Sequence, residues 1–351
     1  MKVALIGYSA SGRSTLNRAA ARGLANGDVT AVPVPDPRFD TIVAQVKPKK
    51  QTPATVILSD DVEPVSTTGR AFSLRLIDQA KKADLLLHVV RAFESPTVPY
   101  HAEVDPIRDQ DTVDVELVLS DLQIVENRLE RLLRSTTFKT SGSPDYMENQ
   151  LFTRIRPDLE GGTPIRSMDL TEDDQTIVRN YQFLTAKPVV IAFNVSEDQA
   201  AEPVERLKNR IEALNQNGIP AFAVCATMEE EIAQLDPADQ PEFLAALGVS
   251  EPASNRVIRA AYDALGLITF FTAGDNDTHA WPLRRGSSAL KAAATIHNDI
   301  ARGFIRAEVV HYQDYANAGS LDAAYSAGKM TLEGKEYTIQ DGDLLHIRNK
   351  S

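Results

Sequence analysis

The chain has 351 residues, 43% of them apolar and 25% charged, with a formal net charge of −12. That is an ordinary globular composition with room for two or three domains, and its acidity argues against non-specific nucleic-acid binding over the whole surface. No apolar run approaches the roughly 20 residues of a membrane span, and the lone cysteine, Cys225, has no partner for an internal disulfide.

The first element is the apolar run Lys2-Val-Ala-Leu-Ile6, which reads as a buried strand, followed by Gly7 to Ser14 (GYSASGRS) and the helix formers Ser14 to Arg22. Strand, glycine turn and helix N-terminus form an anion site. Glycines let backbone N–H groups close around phosphate oxygens, and the helix dipole adds positive potential. The spacing is that of a phosphate-binding P-loop, with Arg13 in place of its lysine. Arg13 keeps the charge but not the shape, because a planar fork is bulkier than an ammonium point charge. A glycine turn with no ligand is the alternative reading of these eight residues alone. Cofactor contacts are expected from Gly7, Ser9, Ala10, Ser11, Gly12, Arg13, Ser14 and Thr15, with the Ser14 hydroxyl offered to Mg²⁺.

Further along, Thr55 to Leu58, Leu85 to Val90, Pro188 to Phe193 and Ala221 to Val224 are apolar without alternation, as in parallel strands covered on both faces. Leu207 to Leu214 reads as a crossover helix, and the fold class is α/β, doubly wound. An amphipathic helix carries Val118, Leu122, Val125, Leu129 and Leu132 at helical spacing. Breakers at 140–144 and 160–164 follow, and Thr171 starts a helix with an acidic first turn. Together these predict a helical insertion. Glu229 to Glu231 read as a solvated helix start, and Cys225 in the run after Ala221 as a buried strand residue.

After Leu265 short strand-like runs, Leu267 to Phe271, Phe304 to Val310 and Leu344 to Ile347, alternate with glycine turns, and Asp341-Gly342 suggests a tight hairpin. This predicts a small α+β unit. From Gly266 onward nine Lys and Arg stand against ten Asp and Glu, so this end is nearly neutral. Arg284, Arg285, Lys291, Arg302 and Arg306 beside Trp281 and Phe304 offer an RNA or protein contact, core aromatics with merely solvated arginines being the alternative. His297 reads as a packed or hydrogen-bonded structural residue, and no His and Cys cluster has metal spacing.

Asn194-Val-Ser-Glu197 follows the strand ending at Phe193, at the sheet edge where α/β folds place ligands. It resembles the N-K-x-D element of guanine-specific GTPases with Val195 for lysine and Glu197 for aspartate. Taken alone it reads as an exposed loop.

With Val32-Pro-Val-Pro-Asp-Pro-Arg38, Val46-Lys-Pro48, His88-Val-Val-Arg91, Phe183-Leu-Thr-Ala-Lys-Pro188, Asn255-Arg-Val-Ile-Arg259, Phe270-Phe-Thr-Ala-Gly274, Ala280-Trp281, Gly303-Phe-Ile-Arg-Ala-Glu308 and Asp341-Gly-Asp343, the chain resembles the Obg-like ATPase (YchF) family nearly end to end. The resemblance implies a P-loop GTPase-like domain over 1–122 and 184–265, a helical insertion over 123–183 and a TGS-like β-grasp domain over 266–351. It implies a protein that binds ATP in preference to GTP, with Mg²⁺, through the loop residues and Asn194, Val195 and Glu197; the lack of a membrane-length apolar run and of an h-region makes a cytoplasmic protein the expectation. A ribosomal partner is implied through the TGS-like domain or the insertion.

Departures from the family pattern bear on catalysis. Between Ser14 and Val32 the chain is shorter by roughly a dozen residues, removing the segment that would hold switch I and its Mg²⁺-contacting threonine. The family's D-x-x-G begins at Asp60 but has Glu63 at the glycine position, then Pro64, and Ser66 to Phe72 replace the glycine-rich stretch. The expectation is a nucleotide-binding regulator whose hydrolysis is weak or lost, with no assigned catalytic residue. A slow ATPase or GTPase and a scaffold with an empty nucleotide site are the alternatives.

Overall fold

The structure, a computed structural model, describes residues 1–21, 27–68, 71–135, 137, 139–236, 238–246 and 249–350. Arg22, expected to end the first helix, and Gly69 and Arg70 of the altered glycine-rich stretch lie outside the described residues, as does part of the shortened segment before Val32. Twelve strands run in chain order: β1 Lys2–Ile6, β2 Val29–Pro33, β3 Lys50–Thr52, β4 Thr55–Ser59, β5 Leu85–Ala92, β6 Val189–Val195, β7 Ala221–Val224, β8 Leu267–Thr272, β9 Asp277–Arg284, β10 Phe304–Val310, β11 Thr331–Glu333 and β12 Leu344–Asn349. They form two six-stranded sheets. The residues divide into two compact units, Met1–Thr30 with Ile57–Val257 and Ala31–Val56 with Ile258–Ser351.

In the first sheet the order is β2-β4-β1-β5-β6-β7, and β1 pairs parallel with both β4 and β5, β5 with β6, and β6 with β7. The continuous apolar runs read in the sequence are these strands, and all seven residues of β6 are buried because helices cover both faces of such a sheet. Helices Leu74–Lys81 and Glu205–Gln216 make two of the crossovers. Since β1 lies between β4 and β5, the strand order reverses there, and the crevice at the carboxyl ends of β1 and β5 is where such a fold binds ligands.

The insertion has its own core of Val125, Leu151, Phe152, Ile155, Leu159 and Phe183. Its first helix runs Pro106–Leu132, capped by the Asp105 carboxylate on the N–H groups of Ile107 and Arg108. The expected stripe from Val118 to Leu132 is therefore the second half of a helix that starts before the expected insertion, and the boundary at residue 122 falls inside it. Helices Pro144–Glu160 and Glu172–Tyr181 complete the insertion. Thr171 caps the last one in a full capping box with Asp174. Replacing Thr171 with alanine is expected to cost about 1 kcal/mol, read as a lower urea midpoint with an unchanged slope.

In the second unit the sheet order is β11-β10-β12-β8-β9-β3. The hairpin β8–β9 is antiparallel, helix Ala289–Ile296 packs on the sheet, and β12 lies parallel to β8 and antiparallel to β10. Two central parallel strands, β8 and β12, with helix Ala289–Ile296 packed on the sheet make a β-grasp arrangement. Asp341-Gly342 does not close a hairpin, because the neighbours of β12 are β10 and β8. Instead Gly342, at φ 92°, lets its N–H reach the carbonyl of Thr269 at 2.7 Å while the Asp341 carboxylate accepts the Thr269 N–H at 2.9 Å.

Residues 31–56, which the sequence places in the nucleotide-binding domain, cluster with the C-terminal unit. The reason is edge pairing and packing. β3 adds parallel to β9, Phe39 stacks on Phe271, and the Arg38 guanidinium bonds both Asp36 and Asp341. The expected Trp281 and Phe304 contact surface is also largely internal: Phe304 is in the core, and the Trp281 indole N–H donates to Thr272 while its ring stacks on His279 at 3.5 Å. Among the described residues no helix is long and apolar enough to cross a membrane.

Candidate functional site

The loop between β1 and helix Arg13–Ala20 carries three consecutive departures from ordinary backbone: Gly7 at φ 146°, Ala10 at φ 61° and Gly12 at φ 95°. Glycine is required at two of them by space as well as by conformation. A Cβ on Gly7 would sit 2.3 Å from the Val89 carbonyl oxygen, and one on Gly12 would sit 2.1 Å from Asn194 Nδ2. Closely packed from behind, the loop turns its exposed Ser9, Ala10 and Ser14 outward, ahead of a helix whose first-turn N–H groups have no intrahelical acceptor and whose first turn holds no acidic residue.

Asn194, buried at the end of β6, is the clamp. Its amide donates to the Ser11 carbonyl at 2.9 Å and its oxygen accepts from the Ala226 N–H at 2.9 Å, tying the loop to the segment after β7. Val195 faces the hydrophobic core, whereas Glu197 is exposed in a short 3-10 turn, Glu197–Gln199. Beside it an apolar cavity of about 80 Å³ is lined by Ala223, Cys225, Met228 and Arg256 among others. That is well below the roughly 300 Å³ of a pocket that engulfs a small molecule. Cys225 is buried as expected, though it lies just past the strand end and precedes helix Ala226–Gln234.

The loop is held on a second side by a residue that sequence reasoning passed over as a functional group. Arg91, 1% exposed, closes β5 and donates to the carbonyls of Ala10 at 3.3 Å, Phe93 at 3.0 Å and Val98 at 2.9 Å. Its guanidinium lies over the rings of Phe93 and Tyr100. A charged residue ending a run of buried apolar residues was the available signal. Glu229 is a second correction: it is buried, not solvated, and accepts from the N–H groups of Ala253 and Ser254 and the Ser254 hydroxyl, capping helix Ala253–Ala264. Its neighbour Glu230 pairs with Arg18 of the loop's own helix at 2.6 Å.

Arg13 points inward. Its guanidinium donates to the Val62 carbonyl at 2.9 Å and the Leu5 carbonyl at 3.4 Å, and its Nε lies 3.6 Å from Asp60 Oδ1. Burial lowers its pKa, opposed by the Asp60 charge. Ser14 Oγ donates to the other Asp60 oxygen. The segment after Asp60 is equally occupied: the Glu63 N–H donates to Gln79 Oε1 at 2.9 Å, and the Glu63 carboxylate takes the Ser73 hydroxyl and the Arg75 guanidinium.

Ser14 and Asp60, the two groups that would hold Mg²⁺, are bonded to each other, while the second Asp60 oxygen is buried without a hydrogen bond and has only the guanidinium charge 3.6 Å away. Among the described residues no three His, Cys, Asp or Glu side chains converge as a metal site. Arg13 holds a positive charge beside Asp60, where a divalent cation would otherwise supply one. His88, in mid-strand on β5, has neither ring nitrogen bonded, and burial pushes its pKa down to about 3, which favours the neutral imidazole. His297 is hydrogen-bonded, its Nδ1 accepting the Asp299 N–H at 3.1 Å as the cap of helix Asn298–Arg302.

Residues 267–350 match the family YchF-GTPase_C, described as "Protein of unknown function (DUF933)". The chain is 37% identical over 327 residues to the ribosome-binding ATPase YchF of Bacillus subtilis, covering 92% of this chain and 88% of that protein. It is 39% identical over 320 residues to the protein of that name from Haemophilus influenzae, at 90% and 87% coverage. The chain belongs to the YchF/Obg-like ATPase family. The family's plant branch is similar too: Obg-like ATPase 1 of Oryza sativa subsp. japonica is 32% identical over 320 residues, at 90% and 81% coverage. The solved structure of the Schizosaccharomyces pombe YchF GTPase superposes with a TM-score of 0.88 at 27% identity, covering 99% of this chain and 97% of that one. The P-loop NTPase fold with its C-terminal domain is therefore that of the family.

Proposed function

We propose that this chain binds a nucleoside triphosphate on the loop Gly7 to Thr15, ATP in preference to GTP, and couples that binding to association with the ribosome. Hydrolysis is weak or lost. The observation that carries the reading is the Asn194 clamp, which holds Ser11 and Ala226 at 2.9 Å each and keeps the loop in phosphate-cradling form without a ligand. Preorganisation of this kind is what an anion site of backbone N–H groups needs.

The base preference rests on Val195 and Glu197. Val195 is committed to the core, and a glutamate in place of aspartate moves the carboxylate away from where it would accept from guanine N1–H and the amino group. The loss of turnover rests on Arg13 and Glu63. Phosphoryl transfer is positioning and electrostatic stabilisation, yet the guanidinium is turned from the phosphate side and the Glu63 N–H already has Gln79 as its acceptor. Ribosome association is carried over from relatives named ribosome-binding ATPases, and the TGS-like C-terminal domain or the helical insertion supplies the surface in a cytoplasmic protein.

Titration calorimetry with ATP, GTP and their diphosphates tests the binding. ATP is expected to bind at least about tenfold tighter than GTP, a difference near 1.4 kcal/mol, with phosphate release no faster than in buffer. Tighter binding of GTP would reverse the preference; steady turnover abolished by Ser14→Ala would establish a slow ATPase; no heat at millimolar nucleotide would leave a scaffold with an empty site. Co-sedimentation of the full chain with ribosomes at low salt, with and without ATP, tests the coupling, and equal pelleting in both conditions would remove it.

A further inference from the structure

The acidic side chain that borders the phosphate loop presents an electrostatic problem. Asp60 sits beside Ser14, and an uncompensated carboxylate there would repel the phosphates. A bound divalent cation is the usual remedy, but here Ser14 donates to one Asp60 oxygen and the other, which accepts no hydrogen bond, faces a guanidinium. What this chain has instead is Arg13, whose side chain is 13% exposed against 6% for Asp60, with Nε 3.6 Å from Asp60 Oδ1. Buried on both sides, this ion pair is screened much less than a surface one, and the guanidinium is anchored on two backbone carbonyls, those of Val62 and Leu5.

We propose that Arg13 is a built-in counter-ion for Asp60, replacing the divalent cation, so that the loop binds nucleotide phosphates without Mg²⁺. The inference rests on the nucleotide-binding reading above and specifies the ionic requirement of that same site. One guanidinium nitrogen bonds both carbonyls while a second, Nε, faces the carboxylate, a division between two atoms that the single nitrogen of a lysine ammonium cannot make. The loss of the family's lysine is then an exchange of roles: the residue leaves the phosphate to the backbone N–H groups and the helix N-terminus and neutralises the acid behind them.

The test is calorimetric titration of the full chain with ATP, once in excess Mg²⁺ and once in EDTA. The expected result is a dissociation constant that changes by less than about threefold between the two. A loss of tenfold or more in EDTA would overturn the proposal while leaving the nucleotide-binding reading intact; absence of binding in both buffers would remove the reading and this inference with it. Two variants give a readout that a merely structural arginine would not move. Arg13→Ala exposes the Asp60 charge and is expected to weaken binding at least about tenfold in EDTA, with Mg²⁺ recovering most of it. Arg13→Ala combined with Asp60→Asn, which removes both charges, is expected to bind equally with and without Mg²⁺. Continued Mg²⁺ dependence of the double variant would place the cation requirement elsewhere and contradict the counter-ion role. Far-ultraviolet circular dichroism checks that each variant is folded, and the wild-type comparison decides the question even if neither is.

Discussion

Gly7→Ala is expected to lower stability by about 3 kcal/mol and to abolish nucleotide binding. Two costs add at this position. The backbone is at φ 146°, a region that an L side chain rarely adopts, and the new Cβ would lie 2.3 Å from the Val89 carbonyl oxygen. That oxygen belongs to β5, which pairs on both sides in the sheet and cannot retreat, so the loop must. Moving Gly7 shifts the carbonyl that accepts the Val65 N–H at 3.0 Å and carries the whole loop away from Asn194. Gly162→Ala is the control, at φ 86° with nothing within 4 Å of the added Cβ; it bears the conformational cost alone, about 1 kcal/mol. Equal losses in the two variants, measured by urea denaturation, would show that the collision with β5 is relieved without consequence.

The second large effect is expected at Asp121, far from the loop. This carboxylate, fully buried on helix Pro106–Leu132, accepts from the N–H groups of Leu184 and Thr185 at 2.9 and 2.7 Å and from the Thr185 hydroxyl at 2.7 Å. It fastens the long helix to the entry of β6. Asp121→Ala leaves two buried backbone donors without acceptors and should cost about 3 kcal/mol at neutral pH.

Burial pushes the Asp121 pKa up to about 6, against the lowering effect of the hydrogen bonds it accepts, while an unfolded aspartate titrates near 3.9. Below about pH 4 both states are protonated. Between about 4 and 6 the folded protein keeps a proton that the unfolded chain has lost, so the contribution of this group to stability declines as pH rises through that window, by about 3 kcal/mol, and is level above it. The difference in unfolding free energy between wild type and Asp121→Asn, which does not titrate, isolates the effect. A difference that instead grows from pH 4 to pH 6 would mean that the bonds from Leu184 and Thr185 outweigh burial.

Much of the site was legible in the chain. The glycine spacing from Gly7 to Gly12 dictated a loop of left-handed and extended backbone, because no other residue type fits both the dihedrals and the close approach of β5 and Asn194. The uninterrupted apolar runs dictated parallel strands, since only a sheet covered on both faces buries every side chain, and the breakers with the Thr171 cap set the limits of the insertion's last two helices. Local chemistry decides these features, and local chemistry is what a sequence records. Tertiary structure alone decided which distant groups meet. Arg13 reads as a phosphate ligand by its place in the loop, yet it turns inward because Val62, Leu5 and Asp60 supply carbonyls and a carboxylate there. Glu229 reads as solvated within an acidic run, yet it is buried because Ala253 and Ser254 bring a helix start whose N–H groups need an acceptor. Residues 31–56 precede most of the first unit in sequence, yet β3 pairs with the distant β9, Lys50 opposite Asp277 and Thr52 opposite His279. Periodicity cannot report such pairings, because the partner that satisfies a buried polar group or a strand edge is set by how the elements pack and not by the residues beside it.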